Sequence, residues 1–200
     1  MTDPALQEKY NTSNPAVRFL LNRFFRRLQT AIAEVAPATV LDAGCGEGEV
    51  LVRGVLPAGT QVVSLDVRPE FLAAARQRAG QHLLVCGSAC QLPFASMSVD
   101  AVLCLEVLEH LGQPERALTE LSRVARKTVI LSVPYEPWFR LGNLARGKYL
   151  DQWGNHPEHV QHWNPATLGA LLREEFDCVE LFPAFPWIIA RCRPKAQVRI

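Results

Sequence analysis

The sequence lacks several features that would place it in a specialised class. It has no CxxC pair among its six cysteines, no apolar run long enough to cross a bilayer, and no basic-then-apolar start typical of a secretory signal. A formal net charge of +1 leaves no basic excess to attract a polyanion. We therefore expect a cytoplasmic protein with free thiols, no disulfide framework, no nucleic-acid partner and no integral membrane segment.

The remaining composition is that of an ordinary globular domain. The chain has 200 residues, of which 48% are hydrophobic and 20% are charged. This is enough apolar material for one full core, and no internal repeat or linker divides the chain. We expect one domain over residues 1–200.

A long amphipathic segment near the start predicts a helix over about residues 15–35. Its apolar residues recur at helical spacing behind Asn14-Pro15, a typical helix start. Four arginines accompany them, at positions 18, 23, 26 and 27. They fit a solvated basic face, although a surface for an anionic lipid or substrate is a second interpretation.

Short apolar runs then alternate with helical segments. The runs TVLDA, QVVSLD, HLLVCG, DAVLCLEV and TVILSVP are rich in Val, Ile and Leu, as parallel strands buried on both faces should be. Two final runs, CVELF and WIIARCR, are joined by the short turn PAFP and should be antiparallel. The pattern predicts an α/β fold, a Rossmann-like three-layer sandwich with a seven-stranded, mostly parallel sheet and an antiparallel C-terminal hairpin.

The first predicted strand leads into a glycine-rich turn, VLDAGCGEGEV. Residues without a Cβ let a backbone bend sharply and approach a ligand, and the carboxyl ends of parallel strands are the expected ligand crevice. The spacing is GxGxG rather than the GxGxxG of dinucleotide sites. Asp42 and Glu47 would repel a pyrophosphate and suit a ligand that carries an ammonium group.

This turn and the motifs that follow resemble class I S-adenosylmethionine-dependent methyltransferases. VLDAGCGEGE is similar to their first motif and VVSLDVRPEFLAAAR to their second. CGSACQLPF is similar to the family stretch GDAxxLPF, and SVDAVLCLEVLEHL to the fourth-strand segment of small-molecule members, including those that methylate ubiquinone precursors. The matches run in order from about residue 39 to 134.

The resemblance implies S-adenosylmethionine as cofactor and assigns its contacts. Asp66 would accept hydrogen bonds from the ribose hydroxyls, Val67 would lie against the adenine, and Tyr10 and Arg18 would cover the cofactor. Ser88 stands where the family usually has an aspartate facing the adenine amino group, so that contact should be weaker. The full predicted cofactor-binding set is Asp42, Gly44, Cys45, Gly46, Gly48, Asp66, Val67, Ser88, Ala89, Leu105 and Glu106.

Residues 135–164 interrupt the alternation and are the expected substrate cap. His110, which the resemblance places at the substrate mouth, and His156 and His159 in the cap are the candidate catalytic residues, each as a general base or hydrogen-bonding group. His156, His159 and His162 do not share one helix face, and Pro157 opposes a helix, so we expect no metal site. Aromatic residues of the cap would wall an acceptor or pack the cap onto the sheet.

Together these features predict a methyltransferase that acts on a small-molecule acceptor by in-line displacement. The acceptor is a phenol, quinone precursor, lipid or sugar. The chain has LEVL where methylases of exocyclic base amines carry [DN]PP[YF] after strand four, which disfavours nucleobases. Two alternatives stay open: a non-catalytic, S-adenosylmethionine-binding regulatory protein, and an NAD(P)-dependent oxidoreductase.

Overall fold

The computed structural model describes residues 12–80, 82–145, 147, 152–153, 155 and 159–196. Helices and strands alternate along most of this chain. The helices are α1 (Pro15–Ala33), α2 (Glu49–Val52), α3 (Pro69–Ala79), α4 (Pro114–Val124), α5 (Trp138–Ala145) and α6 (Pro165–Glu175), with a 3₁₀ turn at Leu108–His110. The strands are β1 (Thr39–Ala43), β2 (Gln61–Asp66), β3 (Leu83–Cys86), β4 (Val99–Leu105), β5 (Ala125–Pro134), β6 (Phe176–Ala184) and β7 (Trp187–Pro194).

Helix α1 begins where the sequence predicts and ends two residues early. The Asn14 side chain caps it by accepting hydrogen bonds from the backbone N–H groups of Ala16 and Val17, at 3.0 and 3.4 Å. One face is buried, and Arg18, Arg26 and Arg27 lie exposed on the rest of the surface. The arginines thus fit the interpretation of a solvated basic face.

The seven strands form one sheet in the order β3-β2-β1-β4-β5-β7-β6. The first five pair in parallel, and β7 runs antiparallel to both β5 and β6. The predicted fold class, including the C-terminal hairpin, is therefore confirmed. The order places β1 beside β4, so the carboxyl ends of β2, β1 and β4 lie next to one another, where such sheets bind ligands.

Two hydrophobic cores cover the two faces of the sheet. Val40, Ala101 and Leu103 pack with α1 on one face. Leu41, Val102 and Cys104 pack with α4 and α6 on the other. This double burial explains why the strands read as continuous apolar runs. Within the described part of the chain, no helix is both long and apolar enough to span a membrane.

The segment after β5 leaves the alternating pattern, as predicted, but it contains a helix that the sequence did not predict, α5. The far end of this segment returns to the sheet. The backbone N–H of Glu136 donates to the carbonyl of Trp163 at 2.9 Å, and Tyr135 and Trp163 form a parallel bridge. These bonds hold residues 159–163 beside the carboxyl end of β5.

The central position of β4 predicts a large difference between two strand leucines. Leu103 in β4 is fully buried, whereas Leu83 in the edge strand β3 is 59% exposed. We expect Leu103→Ala to lower the free energy of unfolding by about 2–5 kcal/mol, because it leaves a cavity, and Leu83→Ala to lower it by less than about 1 kcal/mol. Urea denaturation of both variants measures this, and equal losses would contradict the burial described.

Candidate functional site

The glycine turn lies at the carboxyl end of β1 and is tied to its neighbour β2. The backbone N–H groups of Gly44 and Cys45 both donate to the carbonyl of Leu65, at 2.7 and 3.0 Å. The N–H of Gly46 donates to the Asp66 carboxylate at 2.9 Å. These three bonds fold the turn back over the end of β2 and form the floor of the crevice.

Close packing explains why glycine occupies two positions of this turn. Gly44 has φ +83°, and a Cβ built there would lie 2.3 Å from Cγ2 of Val107. Gly48 has φ +82°, and its Cβ would lie 3.2 Å from that of Ala75 in α3. The turn is therefore wedged between the residues after β4 on one side and α3 on the other, with no room for a side chain.

Asp42 and Asp66 put two carboxylates side by side at the crevice. Both are buried, with exposed fractions of 1% and 7%. Oδ2 of Asp42 has no hydrogen-bond partner among the residues that the structure describes. Burial, together with the charge of Asp66, raises the pKa of Asp42 from 3.8 to about 7. A buried carboxylate oxygen with this pKa favours a cationic ligand group, because a positive charge would stabilise its ionised form.

Glu47 departs from the sequence interpretation, which paired it with Asp42 to hold an ammonium group. The structure buries Glu47 and directs its carboxylate to Arg78 of α3, at 3.4 Å. Arg78 and Arg53 also pair with Glu49. The acidic pair that faces the crevice is thus Asp42 with Asp66. The sequence did not predict the pairing of Glu47 with Arg78, because Arg78 lies far from the turn along the chain.

Asp66 organises the backbone around it. Its Oδ2 accepts from Gly46 and its Oδ1 from the N–H of Arg68, both at 2.9 Å. Each carboxylate oxygen keeps a second lone pair for a ligand hydroxyl. The next residue, Val67, is 65% exposed, as an apolar platform at the mouth of the crevice would be.

The other predicted cofactor residues lie around the same edge of the sheet. Ser88 is exposed, and its hydroxyl accepts from the N–H of Cys90 at 3.2 Å. Ala89 is buried in the core, so it can offer only backbone groups to a ligand. The Cys45 thiol is also buried and donates to the carbonyl of Gly46, and burial raises its pKa strongly.

Leu105 ends β4 and Glu106 follows it, and both residues are half-buried. Glu106 has φ +57°, a left-handed conformation that is uncommon for a residue with a side chain. Its carboxylate accepts from the Ser132 hydroxyl at 2.9 Å, and its N–H donates to the Ser132 carbonyl at 3.0 Å. Glu106 thus redirects the chain into the 3₁₀ turn, which carries the next functional side chains.

Glu109, His110 and His159 form a cluster at the end of this turn. One ligating atom from each lies within 4.8 Å of the others, and the two imidazole rings are 5.0 Å apart at 76°. Glu109 is 1% exposed, His159 is 9% exposed and His110 is exposed. The sequence predicted both histidines separately. It gave no signal that they meet, and it missed Glu109 as their partner.

Of the remaining histidines of the cap and the residues predicted to cover the cofactor, two lie outside the described part of the chain and two lie inside it. His156 and Tyr10 lie outside the described residues, so their predicted roles remain predictions. His162 is exposed and its Nε2 lies 2.9 Å from Oδ1 of Asn155. Burial and the charge of Arg140 lower the pKa of His162. Arg18 is exposed on α1.

Aromatic residues of the cap take one of the two roles that the sequence allowed, which is to pack the cap onto the sheet. Phe139 packs between His159 and Trp187, with ring centroids 5.8 and 6.4 Å away, and so fixes the cap to β7. In contrast, Trp138 and Trp153 are 47% and 76% exposed. The cap therefore has an apolar anchor inside and apolar surface outside.

Comparison with known proteins finds matches to methyltransferases. Residues 41–133 match the family model described as a methyltransferase domain. The chain is 33% identical over 119 residues to demethylmenaquinone methyltransferase of Renibacterium salmoninarum, covering 59% of this chain and 50% of that protein. It is 39% identical over 104 residues to malonyl-[acyl-carrier protein] O-methyltransferase of Laribacter hongkongensis, covering 46% of this chain and 35% of that protein. The chain thus spans half or less of these relatives.

The fold is also that of solved methyltransferases. The magnesium protoporphyrin IX methyltransferase of Synechocystis PCC 6803, solved with bound SAH, superposes with a TM-score of 0.66. The superposition covers 92% of this chain and 89% of that protein at 18% identity. At that identity the likeness concerns the fold alone.

The tight fit of the turn predicts a specific rescue. Gly44→Ala should lower the free energy of unfolding by about 1–3 kcal/mol more than Gly54→Ala, because Gly54 also has positive φ but open space around it. Adding Val107→Ala should recover much of the excess, since it removes the methyl group that clashes. Denaturant unfolding of Gly44→Ala, Val107→Ala and the double variant measures the coupling, with Gly54→Ala as the control. Additive losses would contradict the predicted contact.

Proposed function

We propose that this chain, whose residues 41–133 belong to the class I S-adenosylmethionine-dependent methyltransferases, binds S-adenosylmethionine in the crevice and transfers its methyl group to a small-molecule acceptor. This membership confirms the family resemblance of the sequence motifs. The observation that carries the proposal is the buried, unpartnered Asp42 oxygen beside Asp66, which suits a cationic ligand. When bound, the cofactor supplies a methyl group on a sulfonium, and transfer leaves a neutral thioether.

The crevice residues divide the work of holding this cofactor. Asp42 faces its ammonium group, and Asp66 accepts hydrogen bonds from the ribose hydroxyls with its free lone pairs. Val67 and Leu105 supply apolar surface, and Ser88 and Ala89 border the adenine. The Gly44–Gly48 turn lets the backbone approach the ligand closely.

The histidine cluster serves the acceptor. Glu109 and His110 follow β4 in the 3₁₀ turn, and the ring centroid of His159 lies 5.0 Å from that of His110. Val107, two residues before Glu109, packs against Gly44, so the cluster is close to the cofactor crevice. An acceptor hydroxyl must lose its proton as its oxygen bonds to the methyl carbon, and this cluster provides basic groups for that step.

Two observations support an apolar or aromatic acceptor. The cap exposes Trp138, Trp153 and Val160, whose exposed fractions are 47%, 76% and 57%. One relative is a demethylmenaquinone methyltransferase. Another relative is named an O-methyltransferase, which favours an acceptor oxygen as the atom that is methylated.

The NAD(P) alternative is disfavoured by the shape and charge of the turn. Helix α2 has only four residues, so the turn lacks the long helix whose N-terminus binds a pyrophosphate in dinucleotide folds. The two crevice carboxylates would repel that group. A non-catalytic regulator would bind the cofactor with the same residues, and only a transfer assay separates it from an enzyme.

Calorimetry with S-adenosylhomocysteine and with NADH tests the cofactor assignment. We expect binding of the first only, and Asp66→Ala should weaken it at least tenfold, about 1.4 kcal/mol, by removing the ribose acceptor. Asp177→Ala, at an exposed aspartate of β6, is the control and should leave the affinity unchanged. Binding of NADH alone would overturn the proposal. Transfer of labelled methyl to phenols, quinone precursors, lipids and sugars then tests catalysis.

The raised pKa of Asp42 predicts that cofactor binding depends on pH. With a pKa of about 7 in the free protein, Asp42 is mostly protonated at pH 6 and mostly ionised at pH 8. An ammonium group binds the ionised form, so S-adenosylhomocysteine should bind roughly tenfold more tightly at pH 8 than at pH 6.

The variant Asp42→Asn isolates this effect, because the amide keeps the shape of the side chain and does not titrate. Its affinity should be weaker at pH 8 and nearly constant between pH 6 and 8. A wild-type affinity that does not change over this range, or an equal change in Asp42→Asn, would show that Asp42 does not face the ammonium group.

A further inference from the structure

The cluster of Glu109, His110 and His159 has the composition of a metal site. It offers two imidazole nitrogens and one carboxylate oxygen, a ligand set that proteins use for divalent transition-metal ions with open coordination positions. The three ligating atoms already lie within 4.8 Å of one another. Small rotations of the side chains would bring all three to bonding distance of one ion.

Backbone hydrogen bonds fix the two segments that carry these residues. The N–H groups of Val160 and Gln161 both donate to the carbonyl of Glu109, at 2.9 and 3.1 Å. The Gln161 side chain also donates to the carbonyl of Leu111 at 3.4 Å. The register between His159 and the 3₁₀ turn is therefore set by two main-chain hydrogen bonds, with support from one side-chain hydrogen bond.

Further contacts orient His159 itself. Phe139 packs on its ring, with centroids 5.8 Å apart, and the Asn155 side chain donates to its carbonyl at 3.4 Å. His110, in contrast, is exposed, so the cluster is buried on the Glu109 side and open on the His110 side. The cluster thus resembles a pocket that is closed at Glu109 and open to solvent at His110.

We propose that Glu109, His110 and His159 bind one divalent first-row transition-metal ion, which holds a hydroxyl oxygen of the methyl acceptor in an open coordination position. The second half of this statement rests on the proposed function, whereas the metal site does not. A divalent ion would accept one nitrogen from each imidazole ring and one oxygen from the carboxylate, so a single ion would join all three groups.

With an ion bound, the cluster would promote loss of the acceptor proton through the metal and would not act as the general base itself. A hydroxyl bound to a divalent ion ionises at lower pH, and its proton passes to solvent. The oxygen then forms a bond to the methyl carbon as the carbon–sulfur bond breaks and its electrons return to sulfur. The expectation of no metal came from the spacing of His156, His159 and His162, which does not include Glu109 or His110.

Titration of the chelator-stripped protein with Zn²⁺ by calorimetry, and with Co²⁺ by visible absorption, tests the site. We expect one ion per chain. Each of Glu109→Gln, His110→Gln and His159→Gln should weaken metal binding at least tenfold. The control is His82→Gln, next to the amino end of β3 and so at the opposite edge of the sheet from the cluster. It should leave metal binding unchanged. Because His110 is exposed, His110→Gln should fold normally even where Glu109→Gln does not.

The outcomes separate this inference from the proposed function. Absence of stoichiometric Zn²⁺ and Co²⁺ binding, or an equal loss in His82→Gln, would overturn the metal site. Binding of S-adenosylhomocysteine, measured with EDTA present, should be nearly unchanged in His110→Gln and His159→Gln. If metal binds and S-adenosylhomocysteine does not, the proposed function fails while the metal site stands. The reverse result removes the metal site alone.

Methyl transfer then tests the role of the ion. The rate should fall at least tenfold with EDTA and return on adding Zn²⁺, Mn²⁺ or Co²⁺ in slight excess. His82→Gln should show the same fall and the same recovery. Protein in EDTA that is shown to be free of metal could still transfer the methyl group at the full rate. That result would overturn the proposal that the ion binds the acceptor oxygen.

Discussion

The confinement of the turn after β1 is the constraint on which the site depends. Its N–H groups bond to the end of β2, through the Leu65 carbonyl and the Asp66 carboxylate. Its glycines press against Val107 after β4 and Ala75 in α3. The turn is thus held in a single backbone conformation by three strand ends and one helix. Asp42 and Asp66 stay buried together in spite of their mutual repulsion, because this framework leaves them no other position.

The same arrangement explains how two different kinds of site can share one edge of the sheet. β1 and β2 carry the carboxylates and the turn, whereas β4 leads through Glu106 into the 3₁₀ turn that carries Glu109 and His110. The left-handed backbone at Glu106, supported by Ser132 of β5, directs that turn across the crevice. Val107 joins the two halves, since it follows Glu106 in the chain and packs against Gly44 of the turn.

The sequence predicts much of the cofactor crevice, because most of the residues that form it lie within short segments of the chain. TVLDA, QVVSLD and the helix from Pro165 to Glu175 coincide with β1, β2 and α6, since apolar runs bounded by glycine, proline and a capping asparagine leave few alternatives. Asp42, Asp66 and the three glycines lie where their motif places them. Glu47 was misjudged because its partner Arg78 belongs to another helix. Helix α5 was missed because its eight residues lie among aromatics and glycines that give no clear helical signal.

The cluster of Glu109, His110 and His159 could not be predicted in the same way, because it is made by a long-range contact. His110 and His159 approach each other when the N–H groups of Val160 and Gln161 donate to the Glu109 carbonyl, and no local pattern in the chain encodes that pairing. The two halves also differ in what they require. A cofactor common to many enzymes needs a fixed geometry, which a short motif can specify. An acceptor particular to one enzyme needs a surface that can change, and a cap held by a few backbone bonds to a rigid turn allows that change without disturbing the crevice.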